Sequence, residues 1–84
     1  MKSLKDLAPG EKAIVSKLVG AGSIRRRIID MGIVPGAEIE MERYAPLGDP
    51  IEIKLKGYHL SLRKEEADNI LLHQEDEGGN DYAK

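Results

Sequence analysis

Ser23-Ile24-Arg25-Arg26-Arg27-Ile28-Ile29-Asp30-Met31-Gly32-Ile33-Val34-Pro35-Gly36-Ala37-Glu38-Ile39 is the stretch from which the rest of the chain can be placed. Ile24, Ile28 and Met31 recur at the four- and three-residue intervals of one helical face, and Ile29 is expected to widen that stripe. Ser23 suits the N-cap, where a hydroxyl accepts from a free backbone N–H. Gly32 suits the left-handed residue that ends a helix without a Cβ clash, with Ile33 folding back onto the helix end. Val34 is held extended by Pro35, and Pro35-Gly36 fits the centre of a type II turn, whose second residue needs positive φ. The sequence therefore predicts one short amphipathic helix, a sharp turn and entry into a strand. Arg25, Arg26 and Arg27 lie roughly 100° apart around that helix, so at least two must face solvent or a partner.

Before this stretch, Ser3-Leu4-Lys5-Asp6-Leu7 reads as a single helical turn with Ser3 as cap, and Pro9-Gly10 as a turn. Lys12 to Val19 is a β-branched first strand closed by Gly20-Ala21-Gly22. After it, Ile39 and Met41 alternate with Glu38, Glu40 and Glu42 in a half-buried second strand running to Tyr44. Ala45-Pro46-Leu47-Gly48-Asp49-Pro50 is a turn-rich connector, and Ile51, Ile53 and Leu55 then alternate with Glu52, Lys54 and Lys56. Antiparallel pairing of these two strands would set glutamates near lysines. Gly57 reverses the chain into Tyr58, His59, Leu60, Ser61 and Leu62. Lys64 to Asn69 reads as one polar helical turn, and Ile70-Leu71-Leu72 as a final strand that pairs with the first and leaves no open edge. From Gln74 the chain is too polar to pack, so residues 75–84 are expected to form an acidic, disordered tail after a domain spanning 1–74. The predicted architecture is mainly β, a small SH3-like five-stranded partly open barrel with one short helix between the first and second strands. An OB-fold is the near competitor, but its helix lies later in the strand order and its binding face calls for aromatics.

Composition narrows the function. Eighty-four residues make one domain with a modest core. The absence of cysteine removes disulfides, thiolate metal sites and thiol redox chemistry. No apolar run approaches the ~18 residues of a membrane span, and the N-terminus lacks a continuous signal-peptide core, which predicts a soluble cytoplasmic protein with no direct membrane insertion. The net charge of −2 is asymmetric: residues 1–73 carry 12 Lys/Arg against 11 Asp/Glu, and 74–84 carry 1 against 4. A near-neutral body is a poor nucleic-acid binder, and without Phe or Trp there is no stacking platform.

The run Arg27-Ile28-Ile29-Asp30-Met31-Gly32-Ile33-Val34-Pro35-Gly36 resembles the Arg-Leu-x-Asp-Met-Gly-x-x-Pro-Gly signature of FeoA, a small protein family of bacterial ferrous iron uptake. Ala45-Pro46-Leu47-Gly48-Asp49-Pro50 looks like that family's connector, and Leu60-Ser61-Leu62-Arg63-Lys64-Glu65-Glu66-Ala67 like its last strand and turn. The resemblance covers nearly all of residues 3–73. It implies an SH3-like barrel, Asp30, Met31, Gly32, Pro35 and Gly36 as its structural motif, and a cytosolic accessory role beside FeoB, the membrane Fe(II) transporter that carries a G-protein domain. The same kind of barrel is appended to iron-dependent repressors, so a stand-alone transition-metal-responsive regulatory module is the alternative.

Fold similarity does not fix function, so candidate sites are weighed residue by residue. Arg25, Arg26 and Arg27 can form a cationic contact for an acidic partner, or a solvated helix face with Arg27 pairing to Asp30. In the connector, Pro46, Leu47, Gly48 and Asp49 put an apolar residue at a loop tip, either an interface or a cover for the barrel end. These seven residues are the expected partner-binding set, with FeoB as partner and a monomer or weak dimer as the assembly. Met31 and Gly32 read as core and helix cap. His59, His73, Glu75, Asp76 and Glu77 are the candidate metal ligands. His73 and Glu75 can share a metal on an extended chain, yet a stable site takes about four fixed ligands. No tightly bound cofactor is expected, only weak iron or zinc binding at His73, Glu75 or His59. His59 and Ser61 share a strand face, but with no orienting acid or oxyanion hole in view the chain reads as non-enzymatic.

Overall fold

A computed structural model describes residues 2–73. The elements are β1 (Lys2–Ser3), a 3₁₀ turn (Leu4–Asp6), β2 (Lys12–Leu18), α1 (Gly22–Asp30), β3 (Glu38–Tyr44), β4 (Ile51–Leu55), β5 (Tyr58–Leu62), α2 (Lys64–Ala67) and β6 (Ile70–Leu72). All strand pairs are antiparallel, in the order β1-β6-β2-β3-β4-β5. Val15 of β2, Ile39 and Met41 of β3, Ile51 and Ile53 of β4, Leu62 of β5 and Ile70 and Leu72 of β6 all enter one buried cluster. A sheet whose distant strands share a single core must curl around it, and burying one side chain in two along each strand produces that shape. The five expected strands are β2 to β6, with the helix between the first two of them.

Several expectations are corrected. A two-residue strand, β1, pairs with β6, adding a sixth strand. β6 does pair with β2, but the ladder ends at β1 on one side and β5 on the other, so the sheet keeps its edges. Glu42 is the extra residue of a bulge: Met41 faces Ile53, while Arg43, not Glu42, faces Glu52. Arg43 Nε accordingly meets Glu52 Oε1 at 2.9 Å, and of the three glutamates only Glu40 stands opposite a lysine, Lys54. The segment 75–84, expected as a disordered tail, lies outside the described residues.

Helix α1 begins two residues early. Ala21, not Ser23, takes the N-cap position, and its carbonyl accepts from the N–H groups of Ile24 and Arg25 at 3.1 and 3.0 Å. Its buried stripe is narrower than the spacing suggested: Ile28 is fully buried, Ile24 and Met31 are half-buried, and Ile29 is 48% exposed. The helix end follows the expected scheme. Gly32 takes φ +93°, its N–H donates to the Ile29 carbonyl at 2.8 Å, and the Ile33 N–H donates to the Ile28 carbonyl at 3.2 Å. Ile33 is then buried beside Ile28 in the core. The type II turn closes with Ala37 N–H donating to Val34 carbonyl at 3.0 Å and Gly36 at φ +94°.

Two tyrosines tie local structure to the sheet. Tyr58, at the start of edge strand β5, donates its hydroxyl proton to the Met31 carbonyl at 3.0 Å and so caps the C-terminus of α1. A Cβ on Gly32 would sit 2.5 Å from that hydroxyl oxygen. Tyr44, at the end of β3, directs its hydroxyl at the carbonyls of Lys5, 2.9 Å away, and Leu7, fastening the 3₁₀ turn to the barrel. Burial, reinforced by the negative charges of Asp6 and Glu11, raises the Tyr44 phenol above its ordinary value of 10.0.

Gly32→Ala is expected to cost about 2 kcal/mol, from forced left-handed backbone plus the Tyr58 contact. In a Tyr58→Phe background the same change should cost measurably less, because the clashing oxygen is gone; equal costs in a double-mutant cycle by urea unfolding would show that the hydroxyl contact is irrelevant. For Tyr44 the folded pKa exceeds the unfolded one, so its contribution is complete below about pH 10 and fades as pH rises through the folded value. Tyr44→Phe should lose roughly 1 kcal/mol at neutral pH and flatten the alkaline limb of the stability curve.

Candidate docking face

Helix α1 presents its arginines in two directions. Arg25 and Arg26, with Ile29, Lys17 and Leu18 of β2 and Pro35, line one open groove. Neither arginine has an ion pair among the described residues. Arg27 turns away to α2, where Nη2 lies 2.8 Å from Glu66 Oε2. The local pairing of Arg27 with Asp30 is thus replaced by a tertiary one.

Glu66 is the residue that sequence reading passed over as part of a polar turn. Its side chain is 7% exposed, and its two oxygens have separate partners: Oε2 takes Arg27, and Oε1 accepts the Arg63 backbone N–H at 2.9 Å. The second contact is the half of a capping box that a glutamate at the third helical position supplies, which is the signal in the sequence that marks it. The connector is tied to the same short helix, since Asp49 Oδ1 accepts the Lys64 N–H at 2.9 Å. Gly48 N–H donates to the Ala45 carbonyl at 2.7 Å, and between them Leu47 stands 95% exposed. Leu47 therefore does not cover the barrel end. Of the seven expected partner-binding residues, Arg25, Arg26, Pro46 and Leu47 are exposed without an ion pair or side-chain hydrogen bond among the described residues, whereas Arg27 and Asp49 hold α2 and Gly48 shapes the turn.

The metal candidates do not converge. His59 Nδ1 lies 2.7 Å from Glu42 Oε1 across the sheet, while His73 is at the end of β6 with its N–H donating to the Ile14 carbonyl at 2.9 Å. Glu75, Asp76 and Glu77 lie outside the described residues, and among those described no three His, Cys, Asp or Glu side chains gather. No described helix is long and apolar enough to cross a membrane.

A family model described as the FeoA domain matches residues 2–73. The chain belongs to the FeoA family. It is 39% identical over 67 residues, 80% of its length, to a Porphyromonas gingivalis protein named as a fusion of Fe(2+) transport protein A and the Fe(2+) transporter FeoB, of which it spans only 8%. The solved structure of a FeoA-like protein from Clostridium acetobutylicum superposes with a TM-score of 0.79 at 48% identity, covering 84% of this chain and 83% of that one. A zinc-complexed FeoA from Stenotrophomonas maltophilia, described as a prokaryotic SH3 domain protein, does so with a TM-score of 0.75 at 26% identity, covering 87% and 91%. The fold is thus the SH3-like barrel of FeoA proteins. Asp30 ends α1, and Met31, Gly32, Pro35 and Gly36 lie in the connection to β3, with Met31 half-buried against the core and supplying the carbonyl that Tyr58 caps.

Because Glu66 is buried and Arg27 is 68% exposed, the two partners should differ on truncation. Glu66→Ala is expected to cost about 1–3 kcal/mol by stranding the Arg63 N–H, whereas Arg27→Ala should cost under ~1 kcal/mol. Equal shifts in urea midpoint for the two variants would contradict the assigned roles.

Proposed function

We propose that this chain is a non-enzymatic accessory protein of ferrous iron uptake that docks on the cytosolic part of FeoB and modulates Fe(II) transport. The observation that carries this reading is the fusion relative, in which a segment 39% identical to this chain shares one polypeptide with the transporter. Covalent fusion fixes two domains at high effective concentration, and separate chains that work together need an interface to achieve the same. On this reading the protein acts in the cytoplasm, as a monomer or weak dimer, and holds no resident cofactor. Zinc binding by the Stenotrophomonas relative is compatible with weak, accessory metal contact here.

The interface we assign is the groove beside Arg25 and Arg26 together with the connector tip at Pro46 and Leu47. Two guanidinium groups without ion pairs among the described residues can fork onto carboxylates of an acidic partner surface, and an exposed leucine on a turn offers an apolar knob. Exposed charges of this kind accelerate encounter and fix orientation, and their effect falls with added salt. The connector and α1 each hold α2, through Asp49 and Glu66, which keeps both contact regions on one rigid frame.

Binding of the purified chain to the cytosolic domains of its cognate FeoB, followed in each nucleotide state, tests the proposal. Arg25→Glu with Arg26→Glu should weaken docking by roughly tenfold or more while leaving the urea midpoint within ~0.5 kcal/mol of the parent, and Leu47→Ala should weaken it with equally little effect on folding. Undiminished binding by both variants would remove the assigned surface. Absence of binding in every nucleotide state, with iron uptake unchanged on deletion, would remove the function.

A further inference from the structure

Asp30 is the one charged residue between the end of α1 and Gly36, and the fold leaves it without a partner. Its side chain is exposed and forms neither an ion pair nor a hydrogen bond among the described residues. Capping the helix end is not its task, because backbone carbonyls of α1 already take the donors there. Met31 N–H donates to Arg27 at 3.2 Å and Ile28 at 3.1 Å, Gly32 N–H to Ile29 at 2.8 Å, and Ile33 N–H to Ile28 at 3.2 Å. The cation three residues before it, Arg27, is drawn off to Glu66. The position is also unfavourable. α1 ends at Asp30, so the carboxylate faces the negative end of the helix dipole, and aspartate is among the weaker helix formers. A residue that lowers stability and holds nothing in the fold marks a contact made outside it.

The surroundings define that contact. Gly22, Arg26 and Asp30 follow at four-residue intervals and stand in one row along α1, with Arg25 and Ile29 in the next. Gly22, Arg25, Arg26 and Ile29 line the groove, and Asp30 continues its edge one turn further on, about 6 Å along the axis from Arg26. Arg26 and Asp30 do not satisfy each other: no ion pair joins them, and a cation four residues ahead of the acid is the weaker order in a helix. The edge therefore presents the cations of Arg25 and Arg26, then Ile29 at 48% exposed, then the anion of Asp30.

We propose that Asp30 is a specificity-determining docking residue, accepting from a lysine or arginine of the transporter's cytosolic part that lies about 6 Å from the carboxylates taken by Arg25 and Arg26. The inference rests on the docking reading given above and narrows the partner from an acidic surface to one of mixed charge. A uniformly anionic surface attracts the two arginines and is repelled by Asp30. The same carboxylate thus fixes register on the right partner and discriminates against a wrong one.

Asp30→Asn on the full-length chain tests this, because fold and contact respond with opposite signs. Its urea midpoint should rise, with the folded-to-unfolded ratio up about two- to fivefold, since the adverse charge at the helix end is gone. Its affinity for the cytosolic domains of the cognate FeoB should fall about five- to tenfold at low salt, and by less in about 0.5 M salt. Asp30→Glu, which keeps the charge, should stay within about threefold of the parent. In an Arg26→Ala background Asp30→Asn should weaken binding by the same factor again, as expected of groups with separate partners. Parent affinity in Asp30→Asn, or a urea midpoint that falls together with affinity, overturns the proposal. A loss that disappears in the Arg26→Ala background overturns it too, because Asp30 then acts only through Arg26. Absence of binding by the parent chain in every nucleotide state removes docking itself, whereas parent binding that Asp30→Asn shares in full removes only the role of Asp30.

Discussion

The structure depends on how α1 ends. A helix inserted between two strands must stop abruptly and send the chain back to the sheet, or the second strand cannot reach its register. Gly32 does this by entering the left-handed region, which lets the Gly32 and Ile33 N–H groups satisfy carbonyls of the last turn and drops Ile33 into the core beside Ile28. Tyr58 then donates to the Met31 carbonyl from the far edge strand. The helix end is thereby joined to an edge strand two places beyond β3 in the sheet, and the absence of a Cβ at Gly32 is what leaves room for that hydroxyl. Pro35-Gly36 completes the reversal, so Gly32, Ile33, Pro35 and Gly36 together convert a helix into the entry of β3.

A second tie holds α1 through Arg27. Glu66 is buried with both oxygens engaged, one capping α2 and one holding Arg27. A buried carboxylate without partners would be costly, and here one backbone donor and one guanidinium meet the need. The consequence for function is a division among three adjacent arginines. Arg27 belongs to the frame, and Arg25 and Arg26 are left as the cationic rim of an open groove. The connector is anchored to the same helix through Asp49, which presents Leu47 at the tip of an ordered turn. If this face docks a partner as proposed, its anchored elements would lose little conformational entropy on binding.

Strands β2 to β6, the helix, both glycine turns and the hairpins were readable in the sequence, because period-two and period-four patterns and positive-φ glycines are local properties, whereas the two-residue β1 was not. Of the arginines and the connector leucine singled out from the sequence, Arg25, Arg26 and Leu47 are exposed, and Arg27 pairs with Glu66 rather than locally with Asp30. Ile29 was assigned to the buried stripe because helical spacing says which residues share a face, not how wide the contact with the sheet is. The N-cap lies at Ala21 rather than Ser23, two residues sooner, because the Ala21 carbonyl already accepts from Ile24 and Arg25.

What the sequence by itself determined is the alternation of each strand, the position of the single helix and the chemistry of its termination, since each follows from neighbours within about four residues. What only the tertiary structure decided is the pairing of groups far apart in the chain: Tyr58 with Met31, Glu66 with Arg27, Asp49 with Lys64, and the bulge that sets Arg43 rather than Glu42 against Glu52. Those contacts depend on the curl of the sheet and the register of its strands. Local periodicity leaves both free, and only the simultaneous burial of residues from β2 to β6 in one core fixes them.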